Sequence, residues 1–203
     1  MRKILFLTAL LVTILLPAVA RPSPDWASLQ EGFRNIKTVK AEFTQKRYLP
    51  ILKDPIHSEG RFFFDASGSL RWEYLKPVRS AMLQKGEAVQ LYQFSEGRWK
   101  PEMTQALEIR RMVLAEINQW LQGRFEESRA FSHLYTPGPP PRVLLTPREG
   151  INKFIQGIEI ILAAKPGVID RIEIAESGGA RIAIEFKNVE INSRLPSGIF
   201  EKP

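Results

Sequence analysis

The sequence predicts a mainly β (α+β) protein, with about eleven short strands, one helix ahead of them and one or two helices between the sixth and seventh. Three observations lead there. Short segments alternate apolar and polar residues and are parted by Gly and Pro turns, the pattern of antiparallel strands joined by hairpins. One long stretch, residues 104–122, instead repeats its apolar residues every three or four positions. Finally, 203 residues of which 44% are hydrophobic are enough to bury a core, and no tandem repeat points to a solenoid or propeller.

Residues 1–20, MRKILFLTALLVTILLPAVA, have the pattern of an export leader. Arg2 and Lys3 precede an apolar run from Ile4 to Leu16, Pro17 ends it, and Ala18-Val19-Ala20 is a small-x-small cleavage site. The run is shorter than the roughly 20 apolar residues that a membrane span needs. The expected product is a single domain, residues 21–203, outside the cytoplasm. Loss of Arg2 and Lys3 lowers the formal charge from +7 to +5, a mild excess that suits acidic partners or anionic head groups. Export and the lack of any block of five basic residues argue against nucleic acid.

The elements follow in order. Residues 24–36 read as a short helix: Pro24 and Asp25 suit a first turn, and Trp26, Leu29, Phe33 and Ile36 recur at helical spacing. Thr38–Gln45 alternates with Val39, Ala41 and Phe43 on one face, and Ser58–Asp65 leads into a Ser67-Gly68 turn. In Leu70–Tyr74, Leu70, Trp72 and Tyr74 face one way, Arg71 and Glu73 the other, and Pro77 ends the strand. Ser80–Gln84, Ala88–Phe94 and Arg98–Lys100 are further short strands set off by Gly86 and Gly97. Residues 104–122 then form an amphipathic helix with Thr104 as cap and Gly123 as stop, and with Arg110, Arg111, Glu116 and Gln119 on its polar side. The Pro-rich run 136–142 joins two strands, and Arg142–Thr146, Phe154–Ala163, Val168–Ala175 and Ala180–Ile191 close the chain.

Several chemistries have no footing here. There is no cysteine, so disulfides, thiolate metal sites, Cys nucleophiles and lipid attachment at a Cys fall away. His57 and His133 are too few for a His-based metal cluster. Each has a serine neighbour, but adjacent strand residues point to opposite faces. Nucleotide-binding glycine loops, a G-x-S-x-G elbow and H-E-x-x-H are all missing. No cofactor is implied.

What stands out is large apolar side chains on one-sided strands: Phe43, Phe62, Phe64, Leu70, Trp72, Tyr74, Met82 and Leu91. A helix carrying Met112, Val113, Ile117 and Trp120 follows directly. A sheet-on-helix core accounts for them; so does a curved sheet whose inner face, covered by that helix, forms an apolar ligand cavity.

Four pieces of the chain resemble the LolA family of periplasmic outer-membrane lipoprotein carrier proteins. Val39–Gln45 is similar to the family's opening strand with its Phe-Thr-Gln. Gly60-x-Phe62-x-Phe64, Leu70-Arg-Trp-Glu-Tyr74 and Pro77 are similar to its strand pair ending in Arg-Trp-x-Tyr-x-x-Pro. Gly86 with Tyr92 matches a turn glycine and a strand aromatic, and Phe186–Asn192 with Leu195-Pro196 and Phe200 resembles the closing strand.

The resemblance implies an unclosed antiparallel β-barrel of about eleven strands, with an N-terminal helix and inserted lid helices over an apolar cavity. It implies a monomeric, non-enzymatic periplasmic carrier. Such a carrier takes lipoproteins from an inner-membrane ABC transporter (LolCDE-like) to an outer-membrane acceptor (LolB-like). The twelve apolar residues just named, eight on strands and four on the helix, are then the expected acyl-chain site. Many members have Arg-Pro in the turn before the Arg-Trp strand, an arginine that fastens the lid. Ala66 and Ser67 stand there instead, with Arg61 and Arg71 the nearest replacements, and the chain ends at Pro203 without the longer tail of some members. Both departures point to an alternative, a carrier of the same fold for another lipid or glycolipid.

Overall fold

The computed structural model describes residues 25–86, 88–102 and 106–203, with the side chains of 106–112 and 114 excepted. The leader, its cleavage site and Thr104 lie outside the described residues. Helix α1 (Trp26–Arg34) starts at Asp25, whose carboxylate accepts the Ser28 N–H at 2.7 Å, so Asp25 is the cap rather than part of the first turn. Leu29 and Phe33, one turn apart, are buried. Gly32 lies on the Pro166–Gly167 turn, where a Cβ would stand 2.7 Å from Pro166 Cβ; only glycine lets the helix come this close.

A meander of six strands follows: β1 (Thr38–Tyr48), β2 (Ile56–Asp65), β3 (Ser69–Lys76), β4 (Ser80–Lys85), β5 (Ala88–Ser95) and β6 (Arg98–Pro101). Helix α2 (Ala106–Leu121) and a single 3-10 turn (Phe125–Glu127) interrupt the sheet. It resumes as β7 (Phe131–Thr136), β8 (Arg142–Pro147), β9 (Ile155–Leu162), β10 (Ile169–Glu176) and β11 (Arg181–Ile191). All eleven strands form one antiparallel sheet in the order β6-β5-β4-β3-β2-β1-β11-β10-β9-β8-β7. β6 and β7 are the two edges, so the curved sheet is not closed, as the resemblance to the LolA family implies. The first and last strands, β1 and β11, pair in its middle.

Helix α2 stops as the sequence suggests. Gly123, at φ +70°, gives its N–H to Trp120 O, and Arg124 gives its N–H to Gln119 O, the paired bonds of a glycine-terminated helix. β7 is the strand that alternation did not delimit. Its inward residues are Phe131, His133 and Tyr135, while outward Leu134 is 61% exposed, so the apolar pattern is blurred on both faces.

Register sorts the first half of the sheet into rows on its inner face. Ala41, Phe62, Trp72, Met82 and Leu91 stand abreast, as do Val39, Phe64, Leu70, Gln84 and Val89. Phe43, Gly60 and Tyr74 form a third row. A Cβ on Gly60 would press on the Phe43 ring and on the Glu73 carbonyl, so glycine makes room for the aromatic.

The outer face carries a second buried layer. Arg71 (5% exposed) and Glu73 (2%) lie there with buried Phe63, Ala81 and Leu83. Glu73 Oε2 accepts hydrogen bonds from Arg61 and Arg71, both at 3.1 Å. Arg71 Nη1 also donates to Ile199 O at 3.1 Å and Lys202 O at 2.8 Å. The C-terminal segment is thus strapped over the outside of β3, and the Arg71 and Glu73 side of that strand is not a wet one.

Candidate functional site

A cavity opens between the inner face of the sheet and α2. One wall is Val39 and Ala41 of β1, Phe62 of β2 and Trp72 of β3. Gly167, Val168, Ile169 and Ile172, with Phe186, Val189 and Ile191 of β11, form the other, and Ile117 and Leu121 of α2 form the roof. Among the described residues, no ionisable side chain lines it. Its open volume is about 430 Å³, counted out to the mouth.

Of the residues expected at the site, Phe62, Trp72 and Ile117 line this cavity. Phe43, Phe64, Leu70 and Trp120 are buried in the surrounding core, and Tyr74, Met82 and Val113 pack against it half-buried. Leu91 is buried in the Trp72 row. The Met112 side chain lies outside the described residues. The wall built by β10 and β11 was not singled out from the sequence.

No arginine fastens the roof from Arg61 or Arg71. Both are on the outer face, held by Glu73, and the sheet separates them from α2. Ala66 packs on the core, and the Ser67 N–H turns back to Asp65 Oδ1 at 2.8 Å.

The described part of the roof is held at its C-terminal end by other residues. Glu116 is 6% exposed rather than on a wet helix face. It accepts the Ser128 hydroxyl at 2.6 Å, and the same Ser128 Oγ accepts the Phe131 N–H at 2.9 Å. Trp120 meets Phe131 edge to face, ring centres 5.6 Å apart. Beyond the helix, Glu126 accepts the Trp26 indole N–H at 2.9 Å and the Gln30 amide at 2.7 Å. Trp26 stacks on His133, ring centres 5.1 Å apart. Partial burial pushes the Glu126 carboxyl up. A bond to its own N–H, the Trp26 and Gln30 donors and the nearby His133 outweigh that and hold it below the usual carboxylate value.

Among the described residues, no three His, Cys, Asp or Glu side chains gather as a metal site would require. His57 is exposed on β2, six places from the β7 strand of His133 in the sheet order. What the arrangement offers is a surface of non-directional apolar contact beneath a helix.

The sequence model of the outer membrane lipoprotein carrier protein LolA matches residues 34–202. The chain belongs to the LolA family. An outer-membrane lipoprotein carrier protein of Dechloromonas aromatica is 25% identical to this LolA-family chain over 178 residues, covering 85% of it and 80% of the relative. Among solved structures, a DUF1329 family protein from Desulfovibrio piger superposes with a TM-score of 0.51 at 8% identity, covering 87% of this chain and 94% of that one. A chain of the Pseudomonas aeruginosa MucA/MucB complex superposes at 0.50 and 12% identity, covering 88% of this chain and 60% of that one. At such identities, the likeness of these two structures to this LolA-family chain is one of fold alone.

Proposed function

We propose that this protein is a periplasmic carrier that holds the acyl chains of lipoproteins under α2 and moves them from the inner to the outer membrane. The observation that carries the reading is the cavity roofed by a helix and, among the described residues, lined by apolar side chains, in a chain of the LolA family. Residues 1–20 are removed after Ala20 on export, and residues 21–203 work as one monomeric domain. Cargo comes from a LolCDE-like transporter and goes to a LolB-like acceptor. No bond is made or broken, so the protein is not an enzyme.

The physics sets what such a carrier must do. Each buried methylene contributes about 0.8 kcal/mol, so a sixteen-carbon chain resists transfer to water by about 12 kcal/mol. The carrier must cover most of that surface and then give it up, which requires empty and loaded states of similar free energy. Cargo enters when α2 swings outward. Phe62, Trp72 and Ile117 are the expected first contacts, and the remaining aromatic rows of β2–β5 become lining once α2 lifts.

The Ala66-Ser67 turn favours one other reading, a carrier of the same fold for another lipid or a glycolipid. Native and then denaturing mass spectrometry of protein purified from the periplasm without detergent separates the two. Acylated polypeptide supports the lipoprotein carrier, and free lipid moves the assignment to the second reading. An empty protein that also ignores lipoprotein offered in excess overturns both.

A further inference from the structure

Among the described residues, eight large apolar side chains are exposed: Tyr48, Ile51, Leu52, Ile56, Val78 and Phe154, and also Leu134 and Leu144. The first six share one rim. In this antiparallel sheet the β1–β2, β3–β4, β5–β6, β8–β9 and β10–β11 connections all fall at the same end of the strands. Contacts across the rim agree. Arg47 pairs with Glu176 at 2.8 Å, the Ser177 N–H donates to Phe154 O, and a Cβ on Gly179 would stand 3.4 Å from Pro50. Leu134 and Leu144 lie elsewhere, side by side on the outer face of β7 and β8.

The β1–β2 connection is the prominent part. Leu49–Pro55 is longer than a tight hairpin needs, and its tip presents Ile51 at 89% exposure beside Leu52 at 46%. An isolated exposed leucine is ordinary, but six apolar side chains at one end of a sheet are not. The net charge there is positive. Segments 46–57, 76–80, 95–98, 148–154 and 176–181 carry nine Lys or Arg against four Asp or Glu. Among the described residues Lys53, Arg148 and Lys153 make no ion pair, and all three are exposed.

Apolar tips inside a basic ring fit a surface that is anionic outside and hydrocarbon beneath. Such a surface is a bilayer bearing anionic lipid, where basic groups meet phosphates and short apolar side chains reach the acyl boundary. We propose that this rim is a membrane-docking surface that seats the protein on anionic bilayers, with Ile51 and Leu52 entering the interface. A peripheral contact of this size is reversible, as a protein that must also leave the membrane requires. The inference rests on the rim and holds whatever the cavity carries.

Flotation of the purified protein with lipid-only vesicles tests it. Vesicles with one part in three phosphatidylglycerol should carry the protein, and purely zwitterionic vesicles should carry at least tenfold less. The double variant Ile51→Asp with Leu52→Asp should lose at least tenfold in vesicle partitioning with an unchanged melting temperature, because both side chains are at the tip. Leu134→Asp, on the other exposed apolar pair, should float like the wild type. Raising the salt should release the protein as the charges are screened. An Ile51→Trp variant reads insertion directly, through a blue shift of its emission on adding anionic vesicles. Absence of flotation, equal flotation with both vesicle types, equal flotation of the double variant, or binding only to a purified protein partner overturns the proposal.

Discussion

Ser128 ties Glu116 of the roof helix to the first residue of β7, donating its hydroxyl to the carboxylate at 2.6 Å and accepting the Phe131 N–H at 2.9 Å. The bridge is buried at both Glu116 and Ser128. It joins the C-terminal part of α2 to the start of β7.

Ser128→Ala should loosen that joint. A buried carboxylate and a backbone N–H both lose a partner, at a cost of about 1–3 kcal/mol. Urea unfolding should show the loss, and a fluorescent fatty acid should leave the cavity faster. Glu116→Gln keeps an acceptor for the hydroxyl and should stay close to wild type in both measurements.

Ile117→Glu puts a carboxylate at the roof of an apolar cavity. Affinity for a fatty-acid probe should fall at least tenfold, about 1.4 kcal/mol. The β-sheet signal in circular dichroism should persist. Loss of that signal would instead make Ile117 an ordinary core residue.

Trp72 lines the cavity, and its indole N–H has no hydrogen-bond partner among the described residues. An unpaired buried donor costs about 1–3 kcal/mol. Trp72→Phe should therefore match or exceed the wild type in melting temperature. It should also lose part of the tryptophan emission change that an acyl ligand produces.

Arg71→Ala removes one of the two arginines on buried Glu73 and both bonds to the C-terminal carbonyls. Breaking a buried ion pair costs about 3 kcal/mol or more. Unfolding midpoints should drop accordingly, and limited proteolysis should cut the segment after Ile191 that the wild type protects.

Glu126 gives a pH dependence with a defined sign. Its carboxyl is held below its ordinary value, so the charged form belongs to the folded state and its contribution is present above about pH 4.5. That contribution is lost as the pH falls through the lower folded-state value, where Trp26 and Gln30 lose a charged acceptor. Melting temperatures between about pH 6 and pH 3 should fall less steeply for Glu126→Gln than for wild type.

How much of this was legible depended on local rules holding. Leu70–Tyr74 alternates without interruption, and its faces came out as read. The Gly60 block was legible through its resemblance to the LolA strand pair instead, since Phe62, Phe63 and Phe64 in a row break the alternation. The second cavity wall was hidden by a bulge. Lys40 faces Glu190 and Glu42 faces Lys187, so three steps on β11 oppose two on β1. Asn188, at φ +52°, takes up the extra residue, and inward positions shift from Phe186 to Val189 and Ile191. Strict alternation from Phe186 would have turned Val189 outward. Glu116 misled for a different reason. A charged residue on a helix reads as wet until a distant hydroxyl, here Ser128, is known to meet it. That Arg71 and Glu73 are covered was not legible, because the covering strap lies 128 and more positions further on.

The pairing of β1 with β11 has a bearing on when the protein can fold. Val39 finds Ile191 and Tyr48 finds Arg181, so the centre of the sheet joins the two ends of the chain. A ribosome or a secretion pore delivering the amino terminus first releases two separate wings with an unfilled seam between them. The seam closes only after the final strand emerges. Contacts this far apart in sequence also form slowly. The fold is therefore completed at its centre, and completed last.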